Sequence, residues 1–253
     1  MSATRLACVL LALAAALPVS AQTVKILGRK TTPCPLAFQE VVSNVADFVG
    51  GTTGTTVVSP SITLASGNGA FVLITVERSV VAECDGAGDI TVADSGAVNT
   101  YDLVLIDDDV GNGDQCVAVF YSGLTSTGAV TVTATFSSAD NFRAIAVAEY
   151  SGVLSGNYTT ANDATAVSAT ASTAGWATPT ISTSETQSLL IGFGVTVGGT
   201  ATSHSPTAPG VERLDVPPFA IVDELCSQDS TVEGTFTGAS RTVAVGAAIK
   251  RAP

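Results

Sequence analysis

The chain has 253 residues, 46% of them hydrophobic, and a formal net charge of −12 at pH 7. Its 22 acidic residues all follow position 21, against ten basic ones that include Arg5 in the leader. A field of that sign repels phosphate backbones and anionic lipid, which argues against nucleic-acid and membrane-surface partners.

The chain opens with a charge at Arg5, an apolar run from Leu6 to Leu17, a breaker at Pro18 and Val19-Ser20-Ala21 before Gln22. That is the pattern of a secretory signal peptide, residues 1–21, cut after Ala21. The apolar run is shorter than the roughly 20 residues a spanning helix needs, so it reads as a leader and not an anchor. Cys8 stands at the start of this run instead of after it, against a lipoprotein. Residues 22–253 are then expected to form a single secreted domain, periplasmic or extracellular, with no membrane insertion after cleavage.

Without Cys8 the cysteines are Cys34, Cys84, Cys116 and Cys226, an even number bound for an oxidising compartment, so two disulfides are expected. Three pairings are possible. Cys84 with Cys116 is favoured because both flank one acidic meander, and Cys34 with Cys226 because it ties the N-terminal segment to a late strand. Close Cys-x-x-Cys spacing is absent and the single histidine, His204, stands in a Ser/Pro/Thr stretch read as a loop, so zinc is not expected.

Short strands recur along the chain: Leu36 to Ser43, Thr55 to Ser59, Ala70 to Glu77, Ile90 to Ala93, Tyr101 to Ile106 and Cys116 to Tyr121. Next, Val130, Val132, Ala134 and Phe136 alternate with threonines, the period of a half-buried strand. A polar turn then leads into Phe142 to Tyr150, nearly continuously apolar, as in a strand covered on both faces. Ser155 to Gly175 is rich in Ser, Thr and Ala and reads as a long surface loop or a weak edge strand. Thr178 to Ser182, Leu189 to Val197, Glu212 to Asp215, Phe219 to Cys226, Val232 to Phe236 and Thr242 to Ile249 complete the set. Glycine-rich joints such as Gly67-Asn68-Gly69 and Gly111-Asn112-Gly113 supply the turns. No strict internal repeat stands out, and nothing after the leader reads as a convincing helix. The fold class expected is all-β, an antiparallel two-sheet β-sandwich of jelly-roll or related type.

The ordered motifs Asp94-Ser95-Gly96-Ala97-Val98-Asn99-Thr100-Tyr101, Thr131 to Phe136, Ala148-Glu149-Tyr150-Ser151-Gly152-Val153 and Ser188-Leu189-Leu190-Ile191-Gly192 resemble a widespread, largely uncharacterised group of secreted bacterial β-sandwich domains. The resemblance covers most of Leu36 to Lys250. It implies a two-sheet sandwich of jelly-roll or concanavalin-like kind and no particular reaction. Four cysteines and a denser acidic meander depart from the group's pattern.

Four constellations could carry chemistry. Ten carboxylates fall between Glu77 and Asp114 with only Arg78 among them, and Asp107, Asp109 and Asp114 place hard oxygens on one Gly-Asn-Gly turn, the ligand type of a structural calcium ion. Glu77 and Glu149 each end an apolar strand, and paired carboxylates are what a glycan hydrolase needs. Trp176 and Tyr158 fall in or beside the loose segment and could form an aromatic platform for sugar. His204 is the only imidazole, but the Gly-x-Ser-x-Gly elbow of a serine hydrolase is absent. The function expected is a non-catalytic binding or surface module for extracellular polysaccharide or cell-surface glycan. The alternatives are a hydrolase using Glu149 and Glu77 and a structural subunit of an extracellular assembly.

Overall fold

Alternating and continuously apolar strands sort into different layers, because a strand with one apolar face can only roof a core while one apolar on both faces must lie between two. A computed structural model of the protein describes residues 33–46, 48, 53–77, 88–108, 115–196, 201–239 and 241–253. The expected signal peptide, Cys84, Asp109 and Asp114 lie outside the described residues. Every strand pair in the described part is antiparallel.

The first half builds a large sheet from β1 (Ala37–Asn44), β4 (Gly69–Glu77), β6 (Asp102–Asp108), β7 (Gln115–Gly123) and the end of the long β9 (Val132–Ser151), in the order β1-β9-β4-β7-β6. The start of β9 leaves that sheet and pairs with β2 (Gly54–Val58) on one side and β5 (Ile90–Asp94) on the other. The short β3 (Ile62–Leu64) pairs with β8 (Gly128–Val130).

The second half builds its large sheet from β10 (Asn162–Ala171), β12 (Ser188–Thr196), β14 (Val211–Val216), β15 (Phe219–Ser227) and β17 (Thr242–Ile249), in the order β10-β17-β12-β15-β14. Its small sheet is β11 (Gly175–Ala177), β16 (Glu233–Thr237) and β13 (Ser203–Pro206), in the order β11-β16-β13. An isolated bridge joins Ile181 to Ser230.

Position for position, these two strand orders are the same. The agreement reaches single residues. The β6–β7 register breaks between Leu103 and Leu105, and the β14–β15 register breaks at the matching place, between Glu212 and Leu214. Ser59 exchanges two bonds with Val132, N–H to carbonyl at 2.8 Å and Oγ accepting from the Val132 N–H at 2.9 Å. Thr178 repeats both with Val232, at 3.0 and 3.1 Å. The chain is thus two copies of one strand plan.

Three cores follow. The central one lies between the large sheets and takes Phe71, Leu73, Val119, Tyr121, Ala146 and Tyr150 from the first half and Ile191, Phe193, Ile221, Val245 and Ile249 from the second. An aromatic knot joins the halves there: the Phe71 ring lies 5.1 Å from Tyr121, 5.6 Å from Phe193 and 6.3 Å from Tyr150. Burying each such ring is worth about 1.5–3 kcal/mol. Each large sheet is roofed on its outer face by its own small sheet, over Val57, Val72, Ile74 and Phe136 in the first half and Trp176, Ile181, Val232 and Phe236 in the second. This accounts for the continuously apolar β7, β12 and β17, buried along their whole lengths. The all-β, antiparallel sandwich expected from the sequence is present, with four sheets in the stack and Cys34–Pro253 forming one unit.

Two local expectations change. The polar stretch after Phe136 is no turn: β9 runs on through it, with Phe142 at φ 49°, and so switches from the small sheet to the large one. Ser155 to Gly175 contains the edge strand β10, the second of the two expected readings, and departs from expectation only in the helical turn at Tyr158–Ala161, capped by Asn157, that precedes it. Cys34 and Cys226 are bonded, with Cα atoms 5.8 Å apart, and staple the first half to the second across 192 residues. Cys116 is also disulfide-bonded, and Cys84, its expected partner, lies outside the described residues.

Candidate functional site

Glu149 is buried, at 2% exposure. One carboxylate oxygen accepts from the Ala65 N–H at 2.7 Å and from the Asn68 side-chain amide at 2.8 Å, so it holds the turn between β3 and β4. Along β4, Ala70 lies opposite Glu149, and Glu77 lies seven residues further. At the rise of a strand this places the two backbones about 24 Å apart. Paired glycosidase carboxylates stand about 5–10 Å apart, so Glu77 and Glu149 are not such a pair. Glu149→Ala is expected to lose about 1–3 kcal/mol by leaving the turn's donors unsatisfied, and Glu149→Gln, which keeps one acceptor, distinctly less. Urea unfolding of the two variants measures this.

The expected aromatic platform is not assembled. Tyr158 is 9% exposed and packs in the central core, while Trp176 is 2% exposed and packs in the outer core of the second half. Of the expected calcium ligands only Asp107 is described, in β6; Asp109 and Asp114 lie outside the described residues. Among the described residues no three His, Cys, Asp or Glu side chains converge to hold a metal.

His204 departs from the sequence reading. It lies in β13 and not in a loop, its side chain fully buried. The Trp176 indole N–H donates to Nε2 at 3.0 Å, and Nδ1 lies 2.6 Å from Glu212 Oε2. The imidazole packs against Trp176 at 5.6 Å and Phe236 at 5.0 Å between centroids. Because an indole can only donate, Nε2 is the acceptor and the ring proton sits on Nδ1, donated to Glu212. The alternation of Ser203, His204 and Ser205 was the signal in sequence for an inward-facing histidine.

Buried acids elsewhere are spent on local structure. Asp94 takes the N–H groups of Val98 and Asn99 at 3.1 Å each. Burial pushes the Asp163 carboxyl up, but hydrogen bonds from Ser184, Ser188 and the 184 and 185 amides outweigh it and hold the group below the usual range.

Two shallow surface grooves occupy matching places in the two halves. The first, about 360 Å³, is lined by Val98, Thr100, Asp102, Gly123, Thr125 and Asn157, among others. Asp102 Oδ2 accepts the Tyr158 N–H at 2.8 Å and Asn157 Oδ1 accepts the Thr160 N–H at 3.0 Å. These bonds fix both side chains in the groove wall. Its counterpart, about 280 Å³, lies at the matching place in the second half, between the start of β14 and the end of β15, with Pro209, Val211, Arg213, Leu225 and Ser227 in its wall. By strand register Asp102 corresponds to Val211 and Gly123 to Leu225. The duplicated plan therefore carries a groove at the same place in each half, one walled by Asp102 and Asn157 and the other by Arg213 and Glu224.

No family model, curated protein or solved structure matches the chain.

Proposed function

We propose that this is an exported, non-catalytic β-sandwich module of jelly-roll type that holds an extracellular polysaccharide or cell-surface glycan in the groove beside Asp102. The carrying observation is the groove's polar set: a carboxylate, an amide and the Thr100 hydroxyl converge beside Val98, which is 51% exposed. Fixed acceptors and donors next to a small apolar patch complement the hydroxyls and ring face of a sugar. Export is supported by the leader pattern and by a disulfide, a bond that persists in oxidising compartments. The jelly-roll assignment is supported by the pairing of the first strand of each half with its last, β1 with β9 and β10 with β17.

Affinity electrophoresis in gels cast with neutral and acidic polysaccharides tests the reading. At least one polysaccharide is expected to retard the wild type, and Asp102→Asn, which preserves the bond to Tyr158, is expected to weaken retardation about tenfold. A wild type unretarded by every gel, or a variant retarded equally, rejects the assignment of this groove.

A further inference from the structure

The duplicated plan makes one comparison possible that a single sandwich would not. Strand register matches Val57 to Trp176, since they lie opposite Ala134 and Gly234. It matches Ile90 to His204, opposite Phe136 and Phe236. It also matches Leu103 to Glu212, opposite Phe120 and Val222. Beneath them, Val72 and Ile74 correspond to Gly192 and Gly194 by way of β7 and β15.

The first half thus closes its outer core with aliphatic side chains, while the second replaces the same positions with an indole, an imidazole and a carboxylate over glycines. The glycines make the room. A Cβ on Gly194 would stand 2.5 Å from the Trp176 ring, one on Gly192 3.1 Å from it, and one on Gly234 would collide with His204 Nε2. Large side chains on the small sheet are balanced by glycines on the strands they face, so the packed volume is kept. The strand plan does not need an indole, an imidazole and a carboxylate at these positions, because its other copy fills them with Val57, Ile90 and Leu103 and carries its buried charge elsewhere, at Arg143, whose Nη1 donates to the Thr56 carbonyl.

We propose that Trp176, His204 and Glu212 form a pH-operated latch that holds the β11–β16–β13 sheet on the second half. With the imidazole neutral, Nε2 accepts from the indole and Nδ1 donates to Glu212. Protonation puts a hydrogen on Nε2, and two donors then face each other across 3.0 Å. The indole bond and the second proton exclude one another, so acidification releases Trp176 and loosens the sheet it anchors.

Among the described residues that contact the imidazole, the charged group is Glu212 of β14. From β11 comes Trp176, from β16 Phe236 and Gly234, and from β12 and β15 Gly194, Ala220 and Val222. Glu233, preceding Gly234 on β16, alternates to the opposite face. On β14, Arg213 turns away to Asp223 and Asp215 is exposed.

Trp176 is the only tryptophan and His204 the only histidine in the chain, so the test is free of interference. Tryptophan emission and backbone amide exchange are followed from about pH 8 to about pH 5, the interval in which histidine changes charge. The wild type is expected to show a reversible one-proton transition in emission. Amides of β11, β16 and β13 should exchange about tenfold faster at the acid end after correction for intrinsic rates. The corresponding β2, β5 and the start of β9 serve as the internal control and should not change. His204→Gln, whose side-chain carbonyl can accept from the indole at any pH, should abolish both effects. Flat wild-type emission across the interval overturns the latch, as does equal loosening of both small sheets. Because the control lies in the same molecule, the wild type alone decides the matter if the variant does not fold.

Discussion

Replacing Cys34 and Cys226 by serine is expected to cost about 5 kcal/mol, the largest single effect in the molecule. The bond closes a loop with a sequence separation of 192 residues, and chain-entropy reasoning gives a stabilisation of about that size for so long a loop. Its location adds a second reason. Cys34 leads into β1, an edge of the first large sheet, and Cys226 lies in β15 of the second, so the bond ties together the two sheets that enclose the central core. Guanidinium unfolding of the wild type and the double serine variant, both oxidised, measures the difference. A loss below about 1 kcal/mol would mean that the unfolded chain gains little freedom from the cut.

The second large effect is expected at Arg213. Asp223 is fully buried on a position of the central core, and Arg213 meets it with a two-pronged contact, Nε to Oδ2 at 2.7 Å and Nη2 to Oδ1 at 3.0 Å. The guanidinium also lies 4.8 Å over the Phe38 ring, which in turn packs edge-on against Tyr150 at 5.7 Å. Burial, and then the nearby Asp223 carboxylate, hold the Tyr150 hydroxyl well above the usual phenol range. Burial lowers the Arg213 pKa, but the hydrogen bond to Asp223 and its charge outweigh this and raise it. Arg213→Ala strands a buried carboxylate and is expected to lose about 3–5 kcal/mol. Arg213→Met combined with Asp223→Leu removes both charges and is expected to recover most of that loss. If the double variant is no more stable than Arg213→Ala, the loss comes from packing around Phe38 and not from the unpaired charge. Thermal unfolding of the three proteins distinguishes these cases.

Much of this architecture is readable from the residues, and the reasons for the exceptions are specific. Thr242 to Ile249 was bounded correctly because its apolar run is uninterrupted, and Phe219 to Cys226 fell one residue short. The alternation of Val132, Ala134 and Phe136 gave the buried face of early β9, but the polar stretch after Phe136 carries turn composition inside a strand that bends between sheets. The duplication is written in the chain yet has no fixed period. Thr131-Val132-Thr133-Ala134-Thr135-Phe136 answers Thr231-Val232-Glu233-Gly234-Thr235-Phe236 at a spacing of 100, whereas Ser59-Pro60-Ser61-Ile62 answers Thr178-Pro179-Thr180-Ile181 at a spacing of 119. Unequal loops shift the offset, and the core positions that would align differ in chemistry, as Val57 and Trp176 do. Those same differences hid the functional candidates. Composition places Trp176 beside a loose Ser/Thr segment and His204 among turn formers, which masks the short alternation around His204, and pairing with β16 turns both inward. The groove beside Asp102 is assembled from residues on both sides of β7 and from the segment preceding β10, a juxtaposition that no local pattern announces.

The staple between Cys34 and Cys226 also decides how the molecule carries a load. A pull applied at the two ends of Cys34–Pro253 passes through the sulfur bridge, so the long loop between the cysteines is bypassed and only the chain after Cys226 can pay out. That tail contains β17, which is hydrogen-bonded on one side to β10 and on the other to β12 along nearly its whole length. Cys226 and the end of β17 lie level, beside Ser188 and Leu189 at the start of β12, so the load runs across the strands and β17 must be unzipped from two neighbours at once. While the bridge is intact it shields the segment between the two cysteines from the load; once it is reduced, tension enters that segment as well.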